Sequence, residues 1–128
     1  MPGMKQSKLL NVLLSVQGSY TLITAVWPLI NIQSFMVITG PKTDIWLVKT
    51  VAVVLLPIAL LLLLHLLRPT DPIHLIVVGL TCSIGLAAID FYYSIKGTIS
   101  WVYAVDGVLE FVFFLCWLYI GIRVYTAR

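Results

Sequence analysis

The amino-acid sequence predicts an all-α integral membrane protein, a four-transmembrane-helix bundle that runs up-down-up-down. Of its 128 residues, 61% are hydrophobic and only 10% are charged, and the mean hydropathy is +1.07. Soluble domains are nearer to about 45–50% apolar and about 25% charged, and a water-soluble fold of this size cannot bury so much apolar surface. In addition, four segments each supply the roughly 20 mostly apolar residues that a helix needs to cross a bilayer.

The four predicted spans belong to a single domain, residues 1–128. They cover roughly residues 9–30, 43–67, 72–95 and 98–125. Lys5 and Lys8 precede the first span, as basic residues precede the apolar region of a signal peptide. Because no small-residue cleavage site follows this span, we interpret it as an uncleaved first transmembrane helix.

Short connections join the later spans, and a longer connection follows the first. Two prolines within residues 68–72 remove backbone donors and predict a turn. Gly97 is a typical left-handed helix cap in the second turn. Residues 31–42 contain the apolar stretch 35–38, and we expect this connection to lie along the membrane interface or to dip back as a short lid.

The basic residues predict that both termini are cytoplasmic, because short cytoplasmic loops carry an excess of lysine and arginine. In this topology five basic residues lie on the cytoplasmic side and three on the other. The cytoplasmic residues are Lys5, Lys8, Arg68, Arg123 and Arg128, and those on the other side are Lys42, Lys49 and Lys96. We expect an integral protein of a bacterial inner (plasma) membrane, in contact with the membrane lipids.

Three carboxylates interrupt the apolar spans and mark the candidate site. Asp90 lies in the third span, and Asp106 and Glu110 lie in the fourth. A charge in the hydrocarbon core costs about 2.5–3.5 kcal/mol even on insertion scales, so such residues usually serve a proton, an ion, a ligand or a buried partner. With a rise of about 1.5 Å per residue, Glu110 is expected roughly 18 Å below Thr98, near the bilayer centre.

Helical spacing predicts that these groups converge in the outer half of the membrane. Asp106 and Glu110 are four residues apart and share a face, while Lys49 of the second span lies at a similar depth. A polar stripe on the first span favours close helix packing, and tyrosines near the site add cation–π contacts. The predicted ligand- or cation-binding residues are Lys49, Asp90, Asp106, Glu110, Tyr93, Tyr103, Gln17 and Asn31.

Three interpretations of the cluster remain open. In the first, Lys49 and one aspartate form a buried pair that fixes the helix register. In the second, Asp106 and Glu110 are protonated and face a second copy of the chain. In the third, the cluster lines an outward-facing pocket that binds a cation or a polar ligand. Because three carboxylates face one lysine, we expect at least one to be neutral or to bind a cation. Glu110 is the best candidate for a protonated acid, because it is the deepest of the three and is flanked by Leu109 and Phe111. His65 and His74 form a weaker candidate metal or haem site, since they lie about equally far from the intervening turn.

The sequence also narrows the functional classes. It contains no nucleophile elbow, phosphate-binding loop, H-E-x-x-H or paired-cysteine motif, so it identifies no catalytic residue and no cofactor. No basic patch is present to bind nucleic acid. We expect a protein that binds or transports a proton, a cation or a small polar ligand, as a homo-oligomer or within a larger membrane complex. The alternatives are an accessory subunit packed against another membrane protein and a small membrane enzyme acting on a lipid-like substrate.

Overall fold

The computed structural model describes residues 7–127, and this part of the chain contains helices and turns but no strand. Its helices are α1 (Lys8–Ile30), α2 (Ile32–Thr39), α3 (Ile45–Leu67), α4 (Ile73–Ile95) and α5 (Val102–Thr126). All except α2 are long and apolar enough to cross a membrane. The predicted fold class, an all-α membrane protein with four spanning helices, is therefore confirmed.

The chain forms two compact units. The first contains the beginning of the chain as far as Leu13 together with Pro69–Arg128, and the second is Leu14–Arg68. The first unit thus holds α4 and α5 with the start of α1. The second unit holds the rest of α1 with α2 and α3.

A helical hairpin of α4 and α5 dominates the first unit. Its turn runs from Lys96 to Trp101, and Gly97 has φ 75°, a left-handed conformation that glycine adopts without strain. Buried side chains recur at every third or fourth position, so each helix presents one inward face. These buried residues include Ile76, Gly79, Ser83, Ala87 and Asp90 on α4, and Gly107, Glu110, Phe113, Trp117 and Ile120 on α5.

Glycines allow the two helices of the hairpin to approach closely at three levels. The contacts pair Gly79 with the Trp117 ring, Gly121 with Ile76, and Gly107 with Asp90. A Cβ atom added at residue 121 would lie 3.2 Å from Cγ2 of Ile76. From one pair to the next, the residue number on α4 rises while the residue number on α5 falls, as antiparallel packing requires. This register sets Asp90 opposite the segment of α5 that carries the other two carboxyl groups.

In the second unit, α1 and α3 also meet at a glycine. A Cβ added at Gly18 would lie 2.8 Å from Cδ2 of Leu63, so the α1 backbone lies directly against that leucine. Each helix contains one proline, Pro28 in α1 and Pro57 in α3. Pro28 is buried near the end of its helix, whereas Pro57 is exposed.

Residues 31–42, predicted to lie along the membrane interface or to form a short lid, contain the short helix α2. Asn31 caps it, because Oδ1 of Asn31 accepts a hydrogen bond from the Ser34 backbone N–H at 3.1 Å. The indole N–H of Trp27 donates to Oγ of Ser34 at 2.8 Å, and its ring meets Phe35 edge to face at 5.5 Å. These contacts hold α2 against the end of α1.

The far end of α2 is closed by a glycine and a lysine. Gly40 ends the helix at φ 98°, and Nζ of Lys42 donates to the carbonyl oxygens of Thr39 and Gly40 at 3.3 and 3.2 Å. A cation at this position complements the negative end of the helix dipole. Val37 and Ile38 remain exposed on the outside of α2, as apolar side chains that face lipid do.

Candidate functional site

The side chains of Asp90 and Asp106 are hydrogen-bonded to each other across the α4–α5 hairpin. Asp90 is 6% exposed, and Asp106 is half-buried on the facing helix. An ionised carboxylate has no donor, so a hydrogen bond between two carboxyl groups needs a proton on one of them. The pair is therefore arranged to share one proton.

Glu110 lies one helical turn further along α5 and is 3% exposed. Its carboxyl group is close enough to Asp106 and Asp90 for their charges to interact. It interacts in the same way with the thiol of Cys82 on α4. The three acids thus form one electrostatically linked group within the first unit, which we call the carboxyl cluster: Asp90, Asp106 and Glu110.

Buried polar atoms without a partner mark the cluster. Oδ2 of Asp90, Oε2 of Glu110 and Oγ of Ser94 are buried and make no hydrogen bond to any residue that the structure describes. Leaving a buried polar group unpaired costs on the order of 1–3 kcal/mol. Carboxyl oxygens in this situation are stabilised by a proton, a water molecule or a cation.

Gly107 determines how closely the two helices approach at the cluster. It lies on α5 between Asp106 and Glu110, and a Cβ added there would lie 3.1 Å from both Cβ of Asp90 and Cε1 of Phe91. Contacts this short accept a side chain only if Asp90 and Phe91 shift by a few tenths of an ångström. The absence of a side chain at residue 107 therefore lets Asp90 reach Asp106.

The cluster lies nearer one end of the hairpin than the sequence predicts. Residues Thr98 to Trp101 belong to the turn, so α5 begins at Val102. Glu110 is then eight residues into a helix of 25 residues, about 12 Å from its start and about a third of the way along it. The prediction counted depth from Thr98, four residues before the helix begins.

The cluster does not have the arrangement of a metal site. Among the described residues, no group of three or more His, Cys, Asp or Glu side chains is placed to hold a metal ion. His65 is buried on α3 in the second unit, and His74 is exposed at the start of α4 in the first. The metal or haem site suggested for these two histidines stays a prediction.

The two tyrosines predicted for the site lie on its hairpin. Tyr93 is 37% exposed on α4 and packs edge to face with Tyr92 at 5.0 Å. Tyr103 is half-buried, one turn before Asp106 on α5. Neither observation shows a ligand, so their cation–π role stays a prediction.

Three of the predicted site residues belong to the second unit. Lys49 is exposed on α3 and Gln17 is buried on α1, while Asn31 has the structural role of capping α2. The structure thus brings Asp90, Asp106 and Glu110 together. Pairing of Lys49 with an aspartate, and the inclusion of Gln17 and Asn31 in a site, stay predictions.

Sequence reasoning missed Cys82, Ser94 and Gly107. Ser94 continues the stripe of Ser83 and Asp90 on α4, so extending the helical spacing by one turn would have found it. Gly107 lies between Asp106 and Glu110 in the sequence, but its role depends on the register of the hairpin. Cys82 carries no signal in the sequence, because a lone cysteine in an apolar span usually serves packing.

Comparisons of this chain with protein-family models, with curated proteins and with solved structures found no match.

Proposed function

We propose that this protein binds and releases a proton within the membrane, at the carboxyl cluster of the α4–α5 hairpin. The hydrogen bond between Asp90 and Asp106 carries the proposal, because a bond between two carboxyl groups requires a proton on one of them. The unpartnered oxygen of buried Glu110 supports a second protonation site in the same group. A buried carboxyl oxygen without a partner is stabilised by a proton, and a proton is the simplest ligand.

A proton fits the geometry better than a metal cation does. Magnesium and calcium require about six or more oxygen ligands around one point, and the described acids are not grouped to supply three. A proton needs only one oxygen and an acceptor.

The wider role that we propose is proton-coupled transport or proton relay. Four apolar helices indicate an integral membrane protein, and we propose the bacterial plasma membrane as its location. Intramembrane acids of transporters and pumps commonly form proton relays. Because one chain of this size rarely encloses a complete pathway, we propose that it acts as a homo-oligomer in the membrane.

Infrared titration of the carboxyl groups tests the proposal. The chain has five acidic side chains: Asp44 and Asp71 outside the helices, and the three of the cluster. Replacing Asp44→Asn and Asp71→Asn leaves the cluster as the only source of side-chain carboxyl bands. In lipid vesicles at neutral pH we expect a protonated carboxyl band that shrinks in Asp90→Asn and in Glu110→Gln.

The buffer cation distinguishes a proton site from a metal site. The titration is repeated in tetramethylammonium, sodium, potassium, magnesium and calcium chloride. A proton site keeps the same band in every salt. A band that one metal cation abolishes at constant pH assigns the site to that cation instead. Complete ionisation at neutral pH in tetramethylammonium buffer would overturn the proposal.

A further inference from the structure

Ser94 is the third group of the hairpin with an unpartnered buried atom, and its position relates it to the cluster. Oγ of Ser94 makes no hydrogen bond to any described residue. The side chain lies four residues after Asp90, so the two share a face of α4 with a rise of about 6 Å between them. One bridging water molecule is enough to join groups at this separation.

The Ser94 hydroxyl differs from those of four helical threonines in making no bond to the carbonyl oxygen one turn earlier. Buried serines and threonines commonly bond back to the carbonyl oxygen one turn earlier. Four threonines of this chain do so at 2.8–3.0 Å: Thr24 to Tyr20, Thr39 to Phe35, Thr50 to Trp46 and Thr81 to Val77. Ser94 makes no such bond to Asp90. Its hydroxyl is therefore available to another donor or acceptor.

The turn end of the hairpin is the end nearer to Asp90, and several of its residues are exposed. Ser94 precedes the last residue of α4, and the following Lys96, Gly97 and Thr98 are exposed. Ser94 thus lies between the exposed turn and the buried Asp90. A hydroxyl group both donates and accepts hydrogen bonds, which is what passing a proton requires.

Apolar packing closes the hairpin on the other side of the cluster. Phe113 and Trp117 follow Glu110 on the inward face of α5, and both are buried. The Trp117 ring lies directly against Gly79 of α4. Close-packed apolar groups of this kind exclude water, so within the hairpin the shorter path from exposed residues to Asp90 runs from the turn.

We propose that Ser94 is the residue through which protons pass between the exposed turn and the carboxyl cluster. This proposal rests on the proton-binding function proposed above. In each transfer the Ser94 hydroxyl receives a proton from water on the turn side and gives its own proton to the water that bridges to Asp90. Ser94 ends unchanged, and one proton moves from bulk water to a carboxylate oxygen.

Hydrogen–deuterium exchange of the carboxyl band tests the proposal. Vesicles of the protein with Asp44→Asn and Asp71→Asn are moved into deuterated buffer, and the isotope shift of the band is followed in time. Ser94→Ala should slow the exchange at least about tenfold while the initial band stays the same. Ser94→Thr keeps the hydroxyl and should restore much of the rate. Thr98→Ala removes an exposed hydroxyl of the turn and is the matched control.

The outcomes separate this proposal from the function on which it rests. If the parent protein shows no protonated carboxyl band, the proton-binding function is wrong. If the band is present but Ser94→Ala exchanges as fast as the parent, protons enter by another route and the role of Ser94 is wrong. Equal slowing by Thr98→Ala would also contradict it, because the effect would then belong to the turn. Thermal unfolding of each variant verifies that the fold is retained.

Discussion

Gly107 and Asp90 face each other across the α4–α5 hairpin, and a Cβ atom on residue 107 would lie 3.1 Å from Cβ of Asp90. The glycine lies between Asp106 and Glu110 on α5. Residue 107 therefore determines both how closely the two helix backbones approach and whether Asp90 reaches Asp106. The carboxyl cluster is thus a consequence of helix packing as much as of the acids themselves.

Gly107→Ala should therefore destabilise the protein and disturb the aspartate pair. Overpacking of a close contact costs about 1–3 kcal/mol, and here Asp90 and Phe91 have to shift by a few tenths of an ångström. Denaturant unfolding in detergent measures the loss. Gly85→Ala on α4 is the matched control, because a Cβ there meets nothing within 4 Å. Equal stabilities of the two variants would show that the helices do not approach closely at residue 107.

Asparagine and leucine at position 90 should have different effects. The side-chain amide introduced by Asp90→Asn can donate to Asp106 without an added proton, so we expect an unfolding free energy within about 1 kcal/mol of the parent. Asp90→Leu removes the hydrogen bond and should cost about 1–3 kcal/mol. The comparison uses the same unfolding assay. A leucine variant as stable as the asparagine variant would mean that the bond between Asp90 and Asp106 contributes nothing to stability.

Asn31 is predicted to act as a helix cap. Asn31→Ala should lower stability by about 1 kcal/mol, while Asn31→Ser keeps an oxygen that accepts from Ser34 and should lose little. Gln33→Ala, on the exposed side of α2, is the control. Denaturant unfolding in detergent, as for the hairpin variants, measures the difference. If the serine variant were as unstable as the alanine variant, Asn31 would have another role.

The topology predicts opposite labelling of the two turns that flank α4. Thr70 and Thr98 are exposed at opposite ends of this helix, and the basic residues assign Thr70 to the cytoplasm. The native Cys82 and Cys116 are free and are first replaced by alanine. An impermeant maleimide should label Thr98→Cys in intact cells and Thr70→Cys only after permeabilisation. The reverse result would invert the orientation.

Much of the fold follows from the sequence because the hydrophobicity of each span is a local property. A run of about 20 apolar residues between turn residues identifies a spanning helix without knowledge of its neighbours. The inward faces of α4 and α5 follow as well, since Asp90 aligns with Ser83 and Glu110 with Trp117 at helical spacing. Burial of all four side chains agrees with that pattern.

The register of the hairpin and the start of α5 depend on contacts between helices, so the sequence predicts them less well than it predicts the spans. The length of the turn from Lys96 to Trp101 sets which residues face each other, and an apolar sequence does not indicate how many residues the turn uses. The sequence prediction therefore began the fourth helix too early and missed Gly107. It also did not foresee the helix of residues 32–39, because the capping bond of Asn31 and the contact of Trp27 with Ser34 depend on folding.

Protonation of Glu110 in the membrane is the measurement that tests the account most directly. Glu110 is the chain's single glutamate, so ¹³C-labelled glutamate shifts the infrared carboxyl band of this residue alone. In lipid bilayers at neutral pH and without metal cations, we predict an isotope-shifted band of the protonated acid that is absent in Glu110→Gln. An isotope-shifted carboxylate band in its place would show that Glu110 is ionised and would contradict the proposed proton site.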